Sequence, residues 1–196
     1  MKFTKTLGVV FAAALGLMAF ASTASATTLE VGGVTQTGAI TIQATLKAGT
    51  SLLHTDTVGN FLNTCTASTI QGRDSTRTTG TRVEGPIEVL SFGTTATPCT
   101  EGNPVVHSRG SFSIERIGTT TNGTVRWHNG DVTTFSSFGT LTCTTPPEGT
   151  DIGTLTGVAS GSATLDVNAV LNCGPITTKL TGTYTVTSPG GLGVTA

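Results

Sequence analysis

Chemistry near neutral pH begins with side chains that change charge there, and in this 196-residue chain those are His54, His107 and His128. No two are close in sequence. His54-x-Asp56 puts an imidazole and a carboxylate on the same face of a strand, as a triad fragment or a pair of metal ligands would require. A solvated strand end is the plainer reading. His128 stands across a short turn from Asp131, a cross-strand pair that would tune the imidazole or simply dress an exposed turn. His54, Asp56, His128 and Asp131 are thus the candidate site residues. None is assigned a catalytic, cofactor-binding or metal-binding role, and no cofactor is expected.

Other nucleophiles and acids give less. The nearest approach to a nucleophile elbow is Gly157-Val-Ala-Ser160-Gly161, whose spacing differs from Gly-x-Ser-x-Gly and reads as a turn between strands. The acids Asp74, Glu84, Glu88, Glu101, Glu115, Asp131, Glu148, Asp151 and Asp166 form no pair recognisable as glycosidase carboxylates. Glu148 and Asp151 lack the Asp-x-Asp-x-Asp ladder of a calcium loop. Trp127, the single tryptophan, suits a core anchor better than a sugar platform. The alternating Thr181, Thr183, Thr185 and Thr187 are what an exposed strand of a Thr-rich chain presents by default. Asn122-Gly-Thr124 matches a glycosylation acceptor, a weak signal at this Thr content.

Four cysteines, Cys65, Cys99, Cys143 and Cys173, contain no Cys-x-x-Cys pair for zinc or redox exchange. Their even number suits two disulfides in an oxidising compartment. Of three connectivities, sequential pairing is expected, Cys65 with Cys99 and Cys143 with Cys173. Each loop closed would restrict the unfolded chain by up to about 3.5 to 4 kcal/mol.

Export is expected from residues 1–26. Lys2 and Lys5 precede an uncharged run, and Ala24-Ser25-Ala26 offers small residues to a signal peptidase. The run of 15 residues from Leu7 to Ala21 is short for a membrane span, and no later stretch is long and apolar enough to be one. The remaining chain, 27–196, reads as one domain. It carries eight Lys plus Arg against 11 Asp plus Glu, and this mildly acidic balance speaks against nucleic acid as a partner. Forty-one of the 44 threonines follow Ala26, a β-branched excess that favours strands over helices.

Period-two alternation supplies the elements that must position any site. Ala163, Leu165, Val167, Ala169, Leu171 and Cys173 form one inward row; Leu180, Gly182, Tyr184 and Val186 a second; Ile40, Ile42, Ala44 and Leu46 a third. Weaker strands are expected over 61–70, 82–93, 105–117, 139–145 and 151–158. Asn122-Gly123 and Asn129-Gly130 predict two tight turns and a three-stranded meander, with Trp127 opposite Gly118 and Val132. Irregular loops are expected over 94–104 and 144–150. The sum is an all-β, antiparallel β-sandwich or flattened barrel. A membrane barrel fits poorly, since only seven aromatics follow Ala26.

Gly153-Thr-Leu-Thr-Gly-Val-Ala-Ser-Gly161, Ala169-Val-Leu-Asn-Cys-Gly174 and Gly182-Thr-Tyr-Thr-Val-Thr-Ser-Pro189 resemble segments of small exported bacterial proteins, Thr/Gly-rich and all-β, of unassigned function. In size, export and Thr-Gly-rich strands the chain also resembles, more faintly, the exported activators of alkane oxidation. Neither resemblance supplies catalytic residues.

The function expected is therefore a non-enzymatic interaction protein, exported to the extracellular space, cell surface or periplasm, with an extracellular or surface ligand of unknown identity. Two alternatives are a secreted hydrolase whose site assembles only in three dimensions, and a protease inhibitor using the loop beside Cys99. Three structurally explained histidines imply that replacing all of them with Gln changes stability by no more than about 1 kcal/mol.

Overall fold

A computed structural model describes residues 26–75 and 80–196, so the expected signal segment lies, but for Ala26, outside the described residues. Sixteen strands and no helix appear among the described residues. In chain order these are β1 (Thr28–Val31), β2 (Val34–Thr35), β3 (Thr41–Leu46), β4 (Leu52–Asp56), β5 (Phe61–Cys65), β6 (Ser68–Arg73), β7 (Arg82–Phe92) and β8 (Val105–Ser108). The second half holds β9 (Ser111–Arg116), β10 (Gly123–His128), β11 (Asp131–Ser136), β12 (Gly139–Thr144), β13 (Thr150–Thr156), β14 (Thr164–Cys173), β15 (Ile176–Ser188) and β16 (Leu192–Thr195).

Eight of them close into an antiparallel barrel in the order β3-β6-β7-β9-β10-β13-β14-β15, because β15 pairs with β14 along its length and with β3 near its end. Closure removes the sheet edges that a Thr-rich strand would otherwise offer to other chains. The inward row of β14 is buried as its alternation demands, from Ala163 through Cys173, and it faces Tyr184 and Val186 of β15 in the core.

The β14–β15 hairpin outruns the barrel. Its far half carries β4 and β5 on one side, through Thr178–Thr181 of β15, and β12, β11 and β8 on the other, through Asn172 and Cys173. At the opposite end β1, β2 and β16 form a small sheet that buries Leu29, Leu192 and Val194. Both disulfides brace the extension. Cys143–Cys173 joins directly paired residues of β12 and β14, and Cys65–Cys99 ties β5 to the 93–104 loop.

The structure corrects the expected meander. β9 and β10 do form a hairpin, but six residues, 117–122, connect them, and Gly123 is a strand residue opposite Arg116. Gly123 is needed there because a Cβ would stand 2.6 Å from Cγ2 of Ile114. β10 and β11 do not pair at all. At Asn129-Gly130 the chain leaves the barrel for the extension, held by Gly130 N–H to Thr145 Oγ1 (2.7 Å) and Thr145 N–H to the Gly130 carbonyl (2.9 Å). Trp127 does point inward, but opposite Phe112 and Thr150 rather than Gly118 and Val132.

Outward positions of the barrel wall are mostly polar, the exposed Val89 of β7 and Val170 of β14 excepted. Glu84 and Ser113 are paired residues, as are Ser113 and Arg126, and Arg126 Nε meets Asp151 Oδ1 at 2.6 Å; on β15 the Thr183 hydroxyl donates to Asp166 (2.8 Å). An apolar inside and polar outside is the reverse of the order a lipid-embedded barrel needs. No helix among the described residues is long and apolar enough to cross a membrane.

Candidate functional site

Two of the three histidines are buried, against the expectation of exposed positions. His54, on β4, is 6% exposed and faces the inside of the extension. Its Nε2 lies 2.8 Å from Thr178 Oγ1, which in turn lies 3.1 Å from Cys173 Sγ. Burial alone lowers the His54 pKa below its usual 6.5, because the imidazolium would lose its hydration, so the ring is neutral at neutral pH.

Asp56 does not join it. Its carboxylate closes the 56–60 turn by accepting from Asn60 Nδ2 (2.7 Å), Asn60 N–H (2.8 Å) and Val58 N–H (3.0 Å). The Asn60 side chain is the main reason its pKa lies below the ordinary carboxylate value; slight desolvation opposes this, and backbone N–H donors reinforce it. The His54-x-Asp56 spacing therefore carries a turn cap and a core histidine.

His128 also has a different partner from the one its sequence neighbours suggest. It projects from the outer face of β10 yet is only 6% exposed, because residues 145–149 fold over it. Nε2 lies 2.8 Å from Ser113 Oγ, and Nδ1 lies 2.9 Å from the Pro147 carbonyl. A carbonyl only accepts, so Nδ1 carries the proton, and Nε2 accepts from the serine hydroxyl. Both nitrogens are thus occupied, and Asp131, paired in the ladder with Thr144 and Ser108, makes no hydrogen bond to the ring among the described residues. Gly149 seals the arrangement: its φ is +87°, and a Cβ would lie 2.4 Å from His128 Cε1. His107 is exposed, with Nε2 2.9 Å from Thr133 Oγ1.

A serine, a histidine and a carbonyl in a row form the skeleton of an activated nucleophile. Ser113, however, is 1% exposed, so no substrate carbonyl reaches Oγ in this conformation. Nothing in the sequence marked Ser113, an outward residue in a Ser-Phe-Ser-Ile alternation. A second grouping, His54 with Cys143 and Cys173, brings three ligand-type atoms within 4.8 Å. Both sulfurs are bonded to each other, so neither is a thiolate able to ligate.

Open space lies inside the barrel. A cavity of about 100 Å³ is walled by apolar side chains including Ala44, Phe112, Leu155, Val167, Ala169 and Leu192. Its wall includes the Tyr184 ring, whose hydroxyl donates to Ser68 Oγ (2.7 Å), which donates on to the Ser91 carbonyl (2.7 Å). Burial drives the Tyr184 pKa up to about 12, and the Ser68 contact opposes that only in part. A second cavity of about 40 Å³ occupies the extension, with His54, Asn63 and Thr134 on its wall. Phe92, Trp127, Leu171 and Leu180 border both. Alternation predicted the apolar lining, but which strands enclose it depends on pairings hundreds of atoms apart in the chain.

No protein-family model, curated protein or solved structure matches the chain, so the site is read from its own geometry.

Proposed function

We propose that this is an exported, non-enzymatic binding protein working outside the cytoplasm, at the cell surface, in the periplasm or in the surrounding medium. One observation carries the reading: among the described residues no serine and no carboxylate borders either cavity, while the Ser113–His128 pair is sealed under the 145–149 loop. Two disulfides support the export half, since such bonds persist in oxidising compartments. The test is recovery of the chain from the exported fraction, beginning at Thr27, together with a screen of ester, glycoside and peptide substrates. Export without turnover is the expected result.

A secreted hydrolase is the second reading, favoured by the 2.8 Å Ser113–His128 contact. It requires the 145–149 loop to lift, and its signature is turnover abolished by Ser113→Ala. The inhibitor alternative gains no support, because the loop beside Cys99 is folded on itself. Thr94 N–H bonds the Thr97 carbonyl (3.0 Å), and Asn103 Oδ1 accepts from Cys99 N–H (2.8 Å), leaving no extended segment to pair with a protease.

A further inference from the structure

We infer that the barrel interior binds a small, neutral, apolar molecule. This deepens the binding-protein reading and rests on it.

Eight-stranded barrels either fill their interior with side chains or hold one small ligand. Here Ala44 on β3 and Ala169 on β14 stand at wall positions where longer residues would fill the space, and about 100 Å³ stays open. Water gains little there, because it needs two or more polar partners, and apolar cavities of this order stay dry and accept apolar guests.

The neighbouring space is no more polar. Phe92, Trp127, Leu171 and Leu180 border both cavities, and the wall of the second is likewise apolar although His54, Asn63 and Thr134 are among the residues around it. A charged guest does not suit, because among the described residues no Lys or Arg borders either cavity and an unpaired buried charge is costly.

Trp127 borders both cavities and is the only tryptophan, so its emission reports occupancy. The experiment titrates the intact exported protein with 1-hexanol, n-hexane and hexanoate at pH 8. Expected are a saturable change with n-hexane, several-fold weaker binding of 1-hexanol, whose hydroxyl loses its hydration against an apolar wall, and at least tenfold weaker binding of hexanoate. Ala169→Leu should abolish binding with the melting temperature held or raised; should that variant misfold, NOEs from hexane to the Ala169 methyl in the unaltered protein place the guest. No saturable change with hexane, hexanoate binding as well as hexane, or NOEs only to surface methyls would each overturn the inference. Failure of the binding-protein reading itself looks different: it is substrate turnover lost in Ser113→Ala.

Discussion

Ser113 Oγ and His128 Nε2 lie 2.8 Å apart on the outer side of the barrel wall, from diagonal positions on β9 and β10, beneath a loop whose Pro147 carbonyl fixes the imidazole tautomer. The same contact that would activate a serine here satisfies a buried ring. Burial decides between the two, since a nucleophile that is 1% exposed has no access to substrate.

Ser113→Ala should therefore act on stability. It leaves Nε2 as a buried acceptor without a donor, at a cost of about 1–3 kcal/mol. Denaturant unfolding measures it, and a change below about 0.5 kcal/mol would show that water reaches the ring. The earlier expectation that all three histidines are dispensable falls for the same reason: only His107 lies at the surface, so only His107→Gln should be neutral.

Gly149→Ala should destabilise the 145–149 loop by about 1–3 kcal/mol, from left-handed backbone strain together with the clash against the His128 ring. Amide exchange at Gly130 and Thr145 should quicken with it, since those residues tie the loop down through paired bonds. Unchanged exchange would place the loop elsewhere.

His54 should make the fold acid-sensitive. Its folded pKa lies below the 6.5 of the unfolded chain, so below pH 6.5 the unfolded state binds the extra proton. The contribution is complete above that pH and is lost as pH falls toward the folded value. Melting temperature measured from pH 7.5 down to 5 should drop more steeply for the native protein than for His54→Gln. Parallel curves would contradict a buried neutral ring.

Tyr184 gives the converse at high pH. As the chain's only tyrosine, it supplies the whole phenolate signal, and its folded pKa of about 12 exceeds the ordinary 10.0. Below pH 10 its contribution to stability is complete; as pH rises toward 12 the unfolded state ionises first and that contribution is lost. Ultraviolet titration should show no ionisation near pH 10 while the protein is folded. A normal titration there would mean the phenol is solvated.

Local alternation made the walls readable in advance. The row from Ala163 to Cys173 and the strand around Tyr184 are buried as their period implies, and sequential pairing of the cysteines is the pairing observed. Closure, a consequence of β15 reaching both β14 and β3, has no local signature, and it turned a choice between sandwich and barrel into a barrel. Asn129-Gly130 misled because a turn-forming pair reports the φ its residues tolerate, as Asn129 at φ +53° does, without reporting whether the flanking strands pair. His54 and His128 read as surface residues because their covers, Thr178 and the 145–149 loop, lie 124 and about 20 residues away. The unfilled interior was invisible for a further reason: alanine looks like any small inward residue until the strands opposite it are known.

The central claim, that the closed barrel holds an apolar space open to a guest, is tested most directly by diffraction from crystals pressurised with xenon. Xenon density is expected inside the barrel, against Ala169, Leu155 and Leu192. An interior in which those side chains touch one another, with xenon only at the surface, would contradict it.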